Sequence, residues 1–389
     1  MSKHISLHHS FFRPFLIMVF TQTASFLAWA FPSFDVLRKG FDKYWDIFSY
    51  SSVMFLMAYL TTLFTCYFFY LLGNRSSGSS GFMSYGVSKL EIIVYYYVVL
   101  IFSLIGVSAT IGKIVSVQGV DFFYVSLVTG QANNLKETLY DEYSIGLMSL
   151  RYACILLMPL LILKRFYYSK SYFDVLPILL LFSIVIISSR LALVFSVFLS
   201  IYIYTKYVSP IRFSLMKVFI VSFLGYFLLS ALNYSRNFGY YDQKGMGFFA
   251  AGFSEIITYL GAPFQGAIYV FGRPEKNINL TNYPETTIEF VLNTNSAFMH
   301  KISDFGQLGY FYILFFLAFC SFYVGWANKR KYLCFQLVSG VIYYCFAEFW
   351  RVFLFDQGIV ITLVVLSFLC GLVFCFFKLF CYRQNVFDT

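Results

Sequence analysis

Ten stretches of this chain are apolar over about the length of a membrane-spanning helix, which needs roughly 20 residues. Composition agrees, because 60% of the 389 residues are hydrophobic and 12% are charged, against roughly 25% charged residues in soluble domains. We therefore predict an all-α polytopic membrane protein with ten transmembrane helices, forming a single integral membrane domain over residues 1–389. The predicted spans are Phe15–Phe31, Phe48–Leu72, Leu90–Ile111, Ile145–Leu163, Val175–Ile187, Leu191–Tyr207, Val218–Leu232, Tyr310–Ala327, Tyr332–Phe346 and Val352–Phe377.

Lysine and arginine are unevenly divided between the two sets of connections. Cytoplasmic connections of membrane proteins carry an excess of these residues. Here the excess lies on the side of the N-terminus, whereas the opposite side holds slightly more acidic than basic residues. We therefore predict that both termini are cytoplasmic. The net charge of +10 lies in short clusters between apolar runs, which is typical of topology determinants, so the expected partner is the lipid bilayer and not nucleic acid.

The segment 233–305 is the one part of the chain that is both long and polar, and we predict that it is a large outer loop carrying the chemistry. Within it, Phe248–Phe271 is apolar but contains Glu255 and Pro263. Counting this piece as an eleventh span would move Lys329–Lys331 to the outer side and break the charge asymmetry. We predict an interfacial helix, with a short re-entrant hairpin as the alternative.

Five arginines are predicted on the outer half of the spans or in the loop. A charge within a membrane costs about 2.5 kcal/mol or more, so a retained one usually faces a polar cavity and has a partner. The guanidinium group suits phosphate, because it makes two charge-assisted hydrogen bonds and stays protonated. The set indicates a site for a lipid-linked pyrophosphate; for any single arginine, an ion pair with a carboxylate such as Glu348 or Asp356 is the alternative. The five are Arg151, Arg190, Arg236, Arg273 and Arg351.

Groups for acid or base chemistry are few on the outer side. Glu255 lies in an otherwise apolar helix, and His300 is the only histidine outside the N-terminal tail. Asp304 follows His300 by one helical turn, and each of the three could act as a general acid or base. The alternative for His300 is a hydrogen-bonding role at the membrane surface, and the alternative for Glu255 is a side chain that points to water.

Several motifs of other enzyme classes are missing from the sequence. It contains no P-loop, no dinucleotide-binding glycine pattern, no HExxH and no DxD pair. The eight cysteines lie in apolar runs or in the C-terminal tail, so neither a disulfide framework nor a zinc site is predicted. We expect no metal and no cofactor.

Taken in order, several segments resemble the O-antigen polymerases, which join the repeat units of bacterial surface polysaccharides. The resemblance rests on a serine–arginine turn at Ser189–Arg190, an aromatic stretch with glycine and proline at Tyr259–Phe264, and a DFGxxG-like pattern at Asp304–Gly309. Arg236 and Gly247, separated by ten residues, fit an Arg-x10-Gly pattern found in some members. The similarity covers roughly residues 183–316, together with the topology throughout.

The resemblance implies a metal-independent glycosyltransferase of lipopolysaccharide biosynthesis in the bacterial inner membrane. Such an enzyme transfers a growing glycan from undecaprenyl pyrophosphate to a lipid-linked oligosaccharide repeat unit at the periplasmic face. For this activity, the residues described above supply the means: we predict catalytic roles among Glu255, His300 and Asp304, and pyrophosphate contacts at the five arginines. We also predict glycan contacts at Tyr259 and Gln265. A chain-length regulator and a flippase are the further partners that the resemblance implies.

Two other functions are alternatives. An O-antigen ligase would transfer the glycan to lipid A-core, but ligases carry a histidine where this chain has Asn295, and His300 is offset by five positions. A lipid-linked oligosaccharide flippase or transporter predicts a two-fold repeat of spans and a small outer loop. The sequence shows neither feature.

Overall fold

The structure is a computed structural model. It describes residues 4–7, 9–30, 48–77, 87–128, 146–168, 170–187, 191–236, 241–242, 245–272 and 296–387. Within these ranges the chain forms thirteen α-helices, three short 3-10 helices and one two-stranded sheet.

The helices follow one another along the chain with short connections wherever the structure describes them. They are α1 (Pro14–Ala30), α2 (Tyr50–Ser76), α3 (Lys89–Gln118), α4 (Val120–Val128), α5 (Cys154–Tyr167), α6 (Leu176–Ile187), α7 (Leu191–Tyr207), α8 (Leu215–Arg236), α9 (Phe248–Gly272), α10 (Ala297–Phe305), α11 (Leu308–Ala327), α12 (Leu333–Glu348) and α13 (Gly358–Phe387). The 3-10 helices are His9–Phe11, Leu147–Ala153 and Tyr172–Val175. Strands β1 (His4–Leu7) and β2 (Ile211–Ser214) pair antiparallel, with His4 opposite Ser214.

Five helical segments are long and apolar enough to cross a membrane: α2, α3, the segment Leu147–Tyr167 that ends in α5, α11, and α13 as far as Phe380. Four further apolar helices, which are α1, α6 with its preceding turn, α7 and α12, have 10–17 residues. A helix of 17 residues is about 26 Å long, slightly less than the roughly 30 Å of a bilayer core. Together with α8, these helices coincide with the ten predicted runs. The chain is a multi-pass membrane protein, as the hydropathy pattern predicted.

Three local features differ from the sequence prediction. The last helix begins at Gly358 and not at Val352, because residues 349–357 form turns after α12. The β1–β2 sheet was not predicted, since it pairs segments about two hundred residues apart and no local pattern marks it. The apolar piece of the polar segment is one continuous helix, α9, so the hairpin alternative is not observed.

Two compact units make up the chain, and each is discontinuous in sequence. Unit 1 comprises Met1–Ser76, Ile211–Gly325 and Cys345–Leu354, and unit 2 comprises Ser77–Pro210, Trp326–Tyr344 and Phe355–Thr389. The outer loop predicted over residues 233–305 belongs to unit 1, and its side of the membrane stays a prediction.

Helix α9 is packed against α1, α2 and α8 in unit 1. Phe264 contacts Phe26 and Phe55, with ring centroids 5.3 and 5.2 Å away. The Ser25 hydroxyl donates a 2.7 Å hydrogen bond to the carbonyl of Leu260, in the turn before Pro263. Because proline removes a backbone donor and disturbs the preceding turn, a side-chain donor at this point stabilises the helix. Aromatic packing and this bond hold α9 in place.

A tight corner joins α10 to α11. Ser296 caps α10 by accepting a hydrogen bond from the backbone of Phe298, and Gly306 ends the helix with φ +62°. At Gly309 an added Cβ would lie 2.0 Å from the carbonyl oxygen of Lys301, so only glycine fits there. The two glycines of the predicted DFGxxG-like pattern therefore build this corner.

In unit 2, α3 packs closely against the 3-10 helix Leu147–Ala153. A Cβ at Gly106 would lie 2.1 Å from the backbone nitrogen of Arg151. Where α5 ends, Asp174 is fully buried and accepts hydrogen bonds from Lys164 at 2.8 Å and from Arg165 at 3.1 Å. This buried ion pair holds the connection between α5 and α6.

Candidate functional site

Tyr259, Glu348, Trp350 and Arg351 form a compact group in unit 1, which we name the Arg351 cluster. Arg351 donates from Nε to the Glu348 carboxylate and from Nη1 to the Tyr259 hydroxyl. Its guanidinium carbon lies 5.2 Å from the ring centroid of Tyr259 and 6.0 Å from that of Trp350. The cation is thus held by one carboxylate, one hydroxyl and two aromatic rings.

Local structure explains why three of these residues are together. Helix α12 ends at Glu348, and the chain turns so that the backbone nitrogen of Arg351 donates to the carbonyl of Glu348 at 3.0 Å. Phe349 is 1% exposed and lies 5.1 Å from Phe298 of α10, measured between ring centroids. The buried phenylalanine anchors the turn and leaves its neighbours Trp350 and Arg351 beside Tyr259.

The Arg351–Glu348 ion pair is largely shielded from solvent. The arginine side chain is 17% exposed and the glutamate side chain is 10% exposed. An ion pair with Glu348 is the alternative that the sequence left open for a single arginine, and it is observed for Arg351. The phosphate role of Arg351 stays a prediction, and a phosphate there would share the guanidinium group with Glu348.

An apolar groove of about 500 Å³ is lined by α1, α2 and α9 in the same unit. Phe26, Phe55 and Phe264 contribute aromatic walls. Gln22 is 7% exposed and is one of the few polar side chains in the lining. Such a surface suits a hydrocarbon chain better than a sugar.

The groove and the Arg351 cluster are neighbours along one helix. Phe264 lines the groove and Tyr259 belongs to the cluster, and both are in α9. Five residues of α-helix advance about 7.5 Å along the axis and turn by about 140°, so the two side chains are close along α9 but on different faces of it. Helix α9 thus contributes to both the groove and the cluster within unit 1.

Two of the predicted catalytic residues are on α10, next to the turn that carries the cluster. His300 is partly exposed, and Asp304 is exposed and forms a 3.5 Å ion pair with Lys301. The Lys301 ammonium lies 5.4 Å from the ring centroid of Phe353, just after Arg351 in the chain. The structure thus brings α10 to the cluster, while the catalytic roles of His300 and Asp304 stay predictions.

Gln265 is placed differently from its predicted glycan contact. The residue is 1% exposed, and its amide oxygen accepts a 2.5 Å hydrogen bond from the indole nitrogen of Trp29. A sugar could reach this amide only after α1 and α9 separated. The burial favours a packing role for Gln265.

Arg151 lies in unit 2 and is 3% exposed. It donates to the carbonyl of Met148 at 3.2 Å and to the hydroxyl of Tyr152 at 3.0 Å, and its Nε atom is buried without a hydrogen-bond partner. Among the residues that the structure describes, no carboxylate pairs with it. Arg151 is therefore a buried cation within a predicted span, and its pyrophosphate role stays a prediction.

The remaining predicted site residues cannot be placed as side chains. Arg190 and Arg273 lie outside the described residues. Glu255 is in α9, four residues before Tyr259, and Arg236 is the last residue of α8, but their side chains are outside the described part.

Sequence reasoning missed Trp350 and did not connect Tyr259 with Arg351. The only local signal was the stretch Glu348–Arg351, in which an acid and a base are three residues apart around two aromatic residues. That spacing is common in helices, and contact with Tyr259 depends on tertiary packing. Over the described ranges, no group of three or more His, Cys, Asp or Glu residues could hold a metal ion.

Comparisons with protein-family models, with curated proteins and with solved structures found no match to this chain. The class that the structure defines is a multi-pass membrane protein with a charged aromatic cluster beside an apolar groove. Its activity is accordingly a matter of proposal.

Proposed function

We propose that this protein is a glycosyltransferase that polymerises oligosaccharide repeat units carried on a polyprenyl pyrophosphate. One observation carries the proposal: the apolar groove and the Arg351 cluster share helix α9 within one unit. A polyprenyl-linked glycan has the matching chemistry, because its chain is hydrocarbon, its junction is anionic and its sugars are polar. The resemblance in sequence to O-antigen polymerases supports the same substrate.

The reaction transfers a glycan from a pyrophosphate oxygen to an acceptor hydroxyl. The acceptor hydroxyl forms a bond to the anomeric carbon, the bond from that carbon to the pyrophosphate oxygen breaks, and the acceptor's proton goes to a base. Negative charge develops on the leaving pyrophosphate, so fixed cations and donors stabilise the transition state more than the ground state. No metal is needed for such stabilisation.

Roles for the residues follow from their surroundings. The Arg351 guanidinium, preoriented by Glu348 and Tyr259, contributes to holding the departing phosphate. The rings of Tyr259 and Trp350 are partly exposed and offer surfaces on which sugar rings stack. Because the Glu348 carboxylate is paired with Arg351, the candidates for the general base are Glu255, His300 and Asp304.

We place this activity at the periplasmic face of a bacterial inner membrane, with both termini in the cytoplasm. The uneven distribution of lysine and arginine supports that orientation.

The test compares extracted glycolipids from a deletion strain complemented with variants. The parent chain should restore a ladder of polymer lengths, whereas Tyr259→Phe and Arg351→Met should reduce polymer at least tenfold and accumulate single-repeat lipid. Tyr269→Phe, ten residues further along α9, is the matched control and should restore the ladder.

Other outcomes separate the alternatives. If the deletion strain still makes polymer but leaves it on the polyprenyl carrier, without transfer to lipid A-core, the protein is a ligase. If lipid-linked repeat units accumulate on the cytoplasmic face of the membrane in the deletion strain, the protein is a flippase. Identical glycolipids with and without the gene would overturn the proposal.

A further inference from the structure

A basic pocket of about 590 Å³ lies in unit 2, and none of the predicted site residues lines it. Four cationic residues line it: Lys329, Arg330 and Lys331 from the connection between α11 and α12, and Lys378 from α13. Glu91 is the one acidic residue in the lining. The pocket is therefore strongly positive.

Side-chain hydrogen bonds fix the conformation of the connection that supplies three of these cations. Gln336 is fully buried and donates from its amide nitrogen to the carbonyls of Ala327 at 2.7 Å and Arg330 at 2.9 Å. Lys206 donates to the carbonyl and to the side-chain oxygen of Asn328 at 2.8 and 2.9 Å. Because side chains of α7 and α12 bind its carbonyls, the turn presents its cations in a fixed arrangement.

The groups around the pocket favour a negatively charged ligand. The Arg330 guanidinium carbon lies 4.3 Å from the ring centroid of Trp326, so stacking on the indole orients this cation. The Glu91 carboxylate, by contrast, already accepts a 2.8 Å hydrogen bond from the backbone of Leu333 through Oε1. The amino-terminal end of α3, which Ser88 caps, also borders the pocket and adds positive potential. Four cations, one already engaged carboxylate and a helix N-terminus together favour an anionic ligand.

The surroundings of the pocket indicate which anion. Leu90 and Tyr332 belong to its lining and are 44% and 54% exposed. Next to Lys378, Phe376 and Phe377 are exposed on α13, one of the helices long enough to cross a membrane. Basic pockets at the ends of transmembrane helices bind the headgroups of anionic lipids, while the acyl chains follow the apolar helix surface.

We propose that this pocket binds the phosphate headgroup of an anionic phospholipid. The phosphodiester oxygens accept hydrogen bonds from Arg330 and form ion pairs with the neighbouring lysines. The acyl chains lie along α3 and α13. The site is separate from the Arg351 cluster and does not depend on the glycosyltransferase proposal.

Native mass spectrometry of the purified chain tests the inference with phosphatidylglycerol and phosphatidylcholine as probes. The wild-type chain should retain one phosphatidylglycerol at least tenfold more strongly than phosphatidylcholine. The variant Arg330→Gln/Lys378→Gln should bind phosphatidylglycerol about 30-fold more weakly, given the general contribution of each basic residue near an anionic lipid. Phosphatidylcholine retention should not change.

The matched control is Lys113→Gln/Lys170→Gln, which removes the same charge from unit 2. Lys113 is near the other end of α3 and Lys170 is exposed, and neither lines the pocket. If both double variants lose phosphatidylglycerol equally, the binding depends on overall charge and not on this pocket, and the proposal is overturned. Displacement of the lipid by millimolar inorganic phosphate would show a free-phosphate site instead and would also overturn it.

Should the double variant not fold, Lys378→Gln alone provides the test, since this side chain is exposed at the rim. It should weaken phosphatidylglycerol binding about fivefold. Binding equal to that of the wild-type chain would count against the proposal.

Discussion

Removing both partners of the Arg351–Glu348 pair should destabilise the chain by clearly less than the sum of the two single losses. With side chains 17% and 10% exposed, the pair resembles a buried one, for which loss of a single partner costs about 3–5 kcal/mol. Some solvent reaches it, and glutamine retains an acceptor, so we expect Glu348→Gln to cost about 2 kcal/mol and Arg351→Met about 3 kcal/mol. The double variant should cost about 3 kcal/mol, because no unpaired charge remains. The coupling energy is then about 2 kcal/mol.

The measurement is a double-mutant cycle, with the free energy of unfolding determined by denaturant titration in mixed micelles. Lys301–Asp304 provides a control pair with the same spacing of three residues in the same unit. Its N–O distance is 3.5 Å and Asp304 is 54% exposed, so its coupling energy should be below about 0.5 kcal/mol. A coupling at Arg351–Glu348 no larger than that of the control would refute the claim that this pair is desolvated and well ordered.

Two further predictions concern the fold. Gly309→Ala should destabilise the chain by about 2–3 kcal/mol, because its Cβ would lie 2.0 Å from a backbone oxygen. Gly112→Ala is the control, since it has open space around it and should be neutral or slightly stabilising in thermal unfolding. Equal melting temperatures for the two variants would show that the α10–α11 corner can relax. Reporter fusions at Ser209 and Asn279 should report opposite sides of the membrane, with Ser209 cytoplasmic. The same side for both would end the outer-loop prediction.

Most of the helices were predictable because the cost of exposing polar backbone to lipid acts on each segment separately. Apolar runs of the required length therefore mark their own positions, as α2, α3 and α11 show. Boundaries were less predictable where apolar residues continue into turns, as at Val352, since hydropathy does not distinguish a helix from a buried turn. The pairing of β1 with β2 could not be predicted, because neither strand contains information about a partner so distant in the chain.

The candidate site divides in the same way. Sequence by itself identified Arg351, since a charge among apolar residues is visible locally, whereas Tyr259 entered only through the resemblance of its aromatic stretch. Only the tertiary structure decided that they touch, that Glu348 neutralises Arg351, and that Gln265 is buried against Trp29. The physical reason is that hydropathy is a property of each segment, whereas contacts across α9, α12 and α1 depend on how the helices pack, and that packing is not encoded in any one of them.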